Sequence, residues 1–190
     1  MSWIRTVPPE AAAPPLDSIY RAIRAHSSHD RVANLWQTCA LDPRGLESLF
    51  AQTRALVDDP APLSAAQAEM VVVVVSSTNG CGYCVAHHGP RLAAALADEP
   101  LARAVALDYR EANLAARDRV LLDYAVALTC EPSERTRQDV ERMREYGFDD
   151  AAILKATEIA ALYNQVNRIT SALGVELEPG IAPWAFGAQR

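Results

Sequence analysis

Cys81 and Cys84 stand three residues apart in the stretch Asn79-Gly80-Cys81-Gly82-Tyr83-Cys84-Val85-Ala86-His87-His88. Residues at i and i+3 share a face of a helix, so these two thiols can close a disulfide without unwinding the chain. Thr78-Asn79-Gly80 is a turn signal, and the spacing predicts a helix opening at about Cys81. A helix N-terminus presents unpaired N–H groups and the positive end of the dipole, and both stabilise a thiolate. Thiols in such CxxC sites have pKa values lowered from about 8.5 into roughly 3.5–7.5. The chemistry on offer is that of a redox dithiol. His88, four residues after Cys84, lies one turn along the same face, where it can take the Cys84 proton or favour the thiolate by Coulomb attraction.

Glu69 joins this group by counting. If residues 65–77 and 81–89 form an antiparallel helical hairpin, Glu69 lies nine residues before Thr78 and His88 eight after Gly80. At the helical rise these are depths of about 13 Å and about 12 Å from the turn. A carboxylate at the level of the imidazole raises its basicity and fixes its tautomer. Glu69 is the one acid on that predicted helix, and a carboxylate among valines needs a partner.

Glu69, Cys81 twelve residues on, Cys84 three further and His88 four further resemble the active-site signature of AhpD-like alkylhydroperoxidases, of the carboxymuconolactone decarboxylase superfamily. The run Cys81 to His88 is most similar to the peroxidase-related branch. The likeness extends from about Leu16 to Leu177, including Tyr163-Asn164-Gln165-Val166-Asn167-Arg168 and Leu173-Gly174-Val175-Glu176-Leu177. It implies an all-α fold, a homo-oligomer, and reduction of peroxides by the cysteine pair with a Glu–His proton relay. AhpD proper has a histidine beside the second cysteine where this chain has Tyr83, so that histidine's relay role does not carry over. Superfamily members that decarboxylate lactones lack the CxxC pair, and that activity is not expected.

A metal site is the plainest rival. Zinc wants four tetrahedral ligands, whereas His87 and His88 are adjacent and point about 100° apart on a helix. No metal and no cofactor are expected. His87 is expected to face away from Cys84. Cys39 and Cys130 are isolated and read as packing residues, since free cysteine is among the most buried types. His26 and His29 read as surface or capping groups. Asn164, Asn167 and Arg168 read as satisfying buried backbone or a contact between subunits rather than serving the thiols.

The elements that must hold this group are helices. Alanine is common and Gly numbers only 8, a balance that favours helix. Leu16, Ile19, Tyr20 and Ile23 recur at helical spacing, and a short helix is predicted at about Val32 to Ala40. Asp42-Pro43 caps a helix whose face runs Leu46, Leu49, Phe50, Thr53, Leu56, Val57. Asp58-Asp59-Pro60-Ala61-Pro62 breaks it. Ser64-Ala65-Ala66-Gln67 is a capping box leading into Val71 to Val75. Five valines favour strand on propensity, but the cap and the Ala/Met/Gln/Glu first half favour helix, provided packing on most sides overrides propensity.

Pro90 is expected to kink or split the cysteine helix. Further helices are predicted at Glu99 to Leu107, Ala116 to Thr129 and Ser133 to Glu145. A long one is capped by Asp149, with Ile153, Leu154, Thr157, Ala161 and Leu162 on its apolar side, and ends near Gly174. The expected architecture is an all-α, AhpD-like helical bundle of about eight helices with the CxxC at a helix N-terminus. Residues 1–15 form an arm and 16–177 a single domain, divided into an N-terminal helical segment (16–60) and a catalytic part (61–177). Residues 178–190 form a tail.

Hydrophobic residues make up 50% and charged residues 22%, as in globular proteins, and the net charge is −6. An acidic chain with interspersed arginines repels phosphate backbones, so no nucleic-acid partner is expected. The N-terminus lacks the apolar core of a signal peptide, and the longest apolar run, Met70 to Val75, is too short for a bilayer. A cytoplasmic protein without a membrane partner is expected, its cysteines free of structural disulfides.

The predicted activity is thiol-dependent reduction of hydrogen peroxide or organic hydroperoxides. Cys84 is the expected attacker, Cys81 the resolving thiol, and His88 and Glu69 the relay; the two sulfurs can exchange roles, Cys81 being nearer the helix end. A lipoyl, thioredoxin-like or other external dithiol is the expected reductant. The rivals are a dithiol–disulfide oxidoreductase and a non-enzymatic redox-sensing oligomer.

Overall fold

The computed structural model describes residues 2–27 and 30–189, and every regular element among them is helical. The α-helices are α1 (Leu16–Ala25), α2 (Asn34–Cys39), α3 (Pro43–Thr53), α4 (Ala65–Thr78), α5 (Gly82–Leu96), α6 (Glu99–Asp108), α7 (Ala116–Cys130), α8 (Arg137–Glu145) and α9 (Asp150–Ala172). Nine α-helices among the described residues thus stand against the about eight expected. The all-α architecture is the one expected. Among the described residues, no helix is long and apolar enough to cross a membrane.

The valine run forms helix because α4 is the central element. It packs against α5, α6, α7 and α9, and Val71 to Val75 are each completely buried. A helix apolar all round belongs in a core. Burying a valine contributes about 1.5–3 kcal/mol, against a helix-propensity cost of at most about 0.7 kcal/mol. Both halves of the capping box are present: Ser64 Oγ accepts from the Gln67 N–H, and the Gln67 side chain accepts from the Ser64 N–H, each at 3.1 Å.

Two expectations need correction. α5 runs unbroken through Pro90, because packing between α4 and α6 outweighs the backbone hydrogen bond that proline forfeits. On α9, Leu154 is 59% exposed and Ala161 is exposed too. The buried stripe keeps Ile153 and Leu162 but otherwise runs through Ala152, Ala156, Ile159, Ala160, Tyr163, Val166, Asn167 and Thr170. Small alanines let α9 approach α4 and α7 closely, a need that a search for large apolar residues overlooks.

α1 to α3 gather a second buried cluster around Tyr20, Ile23, Val32 and Leu46, and Trp36 and Cys39 pack against both clusters. The chain beyond α9 folds back over the bundle. Gly187 N–H donates to Ala106 O (3.1 Å), and the Gln189 amide donates to Val105 O and Ala106 O (both 2.9 Å). His29 lies outside the described residues.

Candidate active site

The turn Asn79–Gly80, with Gly80 at φ +71, reverses the chain between α4 and α5 and makes Cys81 the N-cap of α5. Cys81 Sγ and Cys84 Sγ are 2.9 Å apart as free thiols, 3% and 2% exposed. Thr170 Oγ1, on α9, lies 3.0 Å from Cys81 Sγ and 3.9 Å from Cys84 Sγ. The two thiols titrate in opposite directions. The hydrogen bond from Cys84 holds Cys81 down to about 6, against the cost of burial, with Thr170, the Cys84 N–H and Asn167 adding to the effect. Burial pushes Cys84 well up, and the neighbouring Cys81 sulfur raises it further. This reverses the expectation that Cys84 is the acidic thiol. The anion rests on the helix-capping sulfur, and the pair shares one proton.

Glu69 and His88 meet, as the depth count predicts. Glu69 Oε2 lies 2.8 Å from His88 Nδ1. The other ring nitrogen, Nε2, lies 2.8 Å from the hydroxyl of Tyr163 on α9, whose ring sits edge-on to the imidazole. Burial holds His88 below its ordinary value, so the ring is neutral, although Glu69 pulls the other way. Burial raises Glu69, and His88 and Arg91 beside it outweigh that and bring it below the ordinary carboxylate value. With His88 neutral, the charge that keeps Glu69 ionised is Arg91. Its Nε lies 2.7 Å from Glu69 Oε1 in an ion pair too poorly angled for a hydrogen bond. Arg91 also donates to Asp58 Oδ1 (2.8 Å). Burial pushes Tyr163 well above its ordinary value, so it stays a neutral donor. The tautomer follows from these partners: Nδ1–H donates to Glu69, and Nε2 accepts from Tyr163.

A cavity of about 700 Å³ opens over this group. Cys84, His87, His88, Tyr163 and Arg91 line it, with Trp36, Phe50, Tyr83 and Trp184 supplying aromatic wall; Cys81 does not reach it. The returning tail forms one side. A Cβ at Gly89 would fall 2.6 Å from the Trp184 ring, so only glycine lets that indole lie against α5. Arg103 stacks over the same indole, 4.0 Å from its centroid.

His87 does not turn away from the site. It lines the cavity beside Cys84, its i,i+3 neighbour, and its Nε2 lies 2.8 Å from Glu178 Oε2 of the tail. Tyr83 donates to Glu178 Oε1 (2.8 Å), to which the Asn34 N–H also donates (2.5 Å). Burial opposes ionisation of Glu178, but hydrogen bonds from His87 and the Asn34 N–H outweigh it and hold the carboxyl down to about 2.

Asn167 also departs from expectation, since its side chain acts on both thiols while donating to Ser76 Oγ (3.0 Å). Asn164 and Asn167 both accept from Asn79 (3.0 Å each), which ties the turn before Cys81 to α9. Arg168 is exposed and donates back to Asn164 (2.7 Å). Cys130 is exposed rather than packed, at the last residue of α7, and Cys39 is half-buried. His26 Nδ1 lies 2.8 Å from Ala22 O, at the end of α1. Among the described residues, no three His, Cys, Asp or Glu side chains gather as a metal-ligating group.

Residues 44–110 match the carboxymuconolactone decarboxylase family. The structure of an alkylhydroperoxidase AhpD core, a peroxidase-related protein from Ralstonia eutropha JMP134, superposes with a TM-score of 0.85 at 27% identity, covering 96% of this chain and 97% of its own. A peroxidase-related protein from Silicibacter sp. TM1040 gives 0.80 at 29% identity, covering 89% and 90%. Over residues 44–110 in sequence, and over nearly its whole length in fold, the chain is similar to AhpD-like members of the carboxymuconolactone decarboxylase superfamily. The debrominase Bmp8, solved as a cysteine-to-alanine variant with 2,3,4-tribromopyrrole, shares the fold of this AhpD-like chain (TM-score 0.77, 17% identity, covering 94% and 95%). No curated protein matches it in sequence. The family match takes in Glu69, Cys81, Cys84 and His88 but stops short of α9 and the tail, which supply Tyr163, Asn167, Thr170 and Glu178 to the same site.

Proposed function

We propose that the protein is a thiol peroxidase that reduces hydroperoxides through a Cys81–Cys84 dithiol/disulfide cycle. The observation that carries this reading is the pair of sulfurs 2.9 Å apart, one acidic and the other open to a cavity beside a Glu69–His88–Tyr163 hydrogen-bond chain. The peroxidase-related likenesses support it.

The dithiol gives up its first proton to that chain, and the negative charge rests on Cys81. The remaining proton crosses from Cys84 to Cys81, and Cys84, the sulfur that faces the cavity, attacks the distal peroxide oxygen. The O–O bond breaks and the departing oxygen leaves as water or alcohol; the peroxide hydrogen and the Cys81 proton together supply that oxygen and the new S–O group, so Cys84 ends as a sulfenic acid and Cys81 as a thiolate. Cys81 then attacks Cys84 and expels hydroxide, which leaves as water with the proton held by the Glu69–His88–Tyr163 chain. An external dithiol reduces the disulfide by exchange. A cavity of about 700 Å³ with aromatic walls suits an organic hydroperoxide. Both sulfurs are buried, so the reductant must be slender enough to enter, as a lipoyl arm is.

Comparing turnover on cumene hydroperoxide with turnover on a small disulfide, each with excess dithiol, tests the proposal. Peroxide turnover abolished by Cys84→Ser is expected. Preferential turnover of the disulfide would instead make the protein a dithiol–disulfide oxidoreductase.

A further inference from the structure

Taking the peroxidase reading as its basis, we propose that His87, held by Glu178, is a catalytic residue that carries the hydroperoxide's own proton from the oxygen under attack to the oxygen that leaves.

The Glu69–His88–Tyr163 chain is poorly built for that transfer. Both nitrogens of His88 are engaged, Nδ1 by Glu69 and Nε2 by Tyr163, and the hydroxyl hydrogen of Tyr163 points at His88. Having taken the dithiol's proton through the Tyr163 oxygen, the chain has no free acceptor left for the hydroperoxide hydrogen, and the proton it holds is the one that leaves with the hydroxide expelled later.

His87 is arranged differently. The carboxylate of Glu178, whose side chain is 5% exposed, is saturated by Tyr83, the Asn34 N–H and His87, and so cannot swing away. As an acceptor it fixes the hydrogen of His87 on Nε2, which leaves Nδ1 as a bare acceptor. Among the described residues, Nδ1 has no partner, and the ring is part of the cavity wall. Tyr83 packs against the imidazole with centroids 4.6 Å apart, and its hydroxyl is pinned by Glu178 and the Leu35 N–H (3.2 Å). Cys84 and His87 are i,i+3 neighbours on α5, so a peroxide oxygen reached by Cys84 Sγ comes within range of Nδ1.

In this step the S–O bond forms as the O–O bond breaks. Nδ1 takes the hydroperoxide hydrogen and passes it to the departing oxygen. Thiolate plus hydroperoxide becomes sulfenate plus alcohol, with no net proton drawn from the ring. The sulfenate then takes the Cys81 proton across the short sulfur–sulfur gap, which readies Cys81 for condensation.

A leaving group that needs no proton separates this role from a structural one. Reduced protein is mixed with cumene hydroperoxide or with 3-chloroperbenzoic acid, whose departing carboxylate is stable unprotonated, and thiol loss is followed over a single turnover. His87→Gln should slow the hydroperoxide reaction by about 100-fold, the lower end of what a positioned acid–base group contributes, and leave the peracid reaction at the wild-type rate. Glu178→Gln should give a smaller loss with the same selectivity. Taking the ratio of the two rates within one preparation cancels any loss of folded protein. An equal loss with both oxidants, or no loss with either, would overturn the role of His87. Wild-type thiols that react with the peracid but not with the hydroperoxide would overturn the peroxidase reading and this role with it.

Discussion

Glu69 Oε2 sits 2.8 Å from His88 Nδ1, joining the first half of α4 to the middle of α5 through two buried side chains. The carboxylate has an ionic partner, Arg91, one turn further along α5, whereas the imidazole has only neutral contact with Tyr163 beyond it. The charge of the site therefore sits at the Glu69–Arg91 end, and the proton-accepting end faces the cavity.

Glu69→Gln keeps the size of the side chain and one hydrogen bond but deletes the charge that supports a protonated His88. The His88 pKa, already held low by burial, should fall further, as NMR titration of the ring would show. Peroxide turnover should drop by about 100-fold. Adding His88→Ala should cost little more, because residues acting as a unit are non-additive. Losses that multiply would leave Glu69 only a structural role.

Reduced protein should show thiolate absorbance appearing near pH 6, from Cys81. Cys84→Ala removes the donor that most favours this anion, so the transition should move up. Thr170→Val should shift it in the same direction by less. A midpoint unchanged by Cys84→Ala would show that the helix N-terminus alone sets the acidity.

Glu178 has its folded pKa held down to about 2, against an ordinary value of about 4.3 in an unfolded chain. The group therefore contributes stability that is present in full above the ordinary value and is lost as pH falls towards 2. The size at neutral pH is at most on the order of 3 kcal/mol. Glu178→Gln should lower the denaturation midpoint at pH 7 and flatten its fall between about pH 5 and 2. Parallel wild-type and variant curves would show that the tail is not held through this carboxylate.

The helices and the Glu69–His88 meeting were legible in the sequence because both follow from local rules: caps at Asp42, Ser64 and Asp149, and a constant rise per residue on two helices joined by a tight turn. Tyr163, Asn167 and Thr170 were not, since they reach the thiols from α9, whose rotation depends on where its small alanines pack. Glu178 was hidden for a different reason. It lies in a Pro-containing stretch without regular structure, and nothing local indicates that this stretch folds back over α5. The acidity of the two thiols was misassigned because the helix-end argument does not weigh the deeper burial of Cys84 or the donors gathered at Cys81.

Assembly is a further expectation. Trp3, Ile4 and Leu41 are exposed large apolar side chains in the first 60 residues, and a homo-oligomer should cover part of that surface. Light scattering at micromolar concentration should return a multiple of 20.6 kDa, and a species of 20.6 kDa would contradict it.

The central claim is that Cys81 and Cys84 form a disulfide at the expense of a peroxide and are restored by a dithiol. Mass spectrometry of the reduced protein after one equivalent of cumene hydroperoxide tests it directly. The account predicts loss of two hydrogens from the peptide carrying Cys81 and Cys84, one equivalent of cumyl alcohol, and full reversal on adding dithiol. Unmodified Cys81 and Cys84, or oxidation confined to the exposed Cys130, would contradict it.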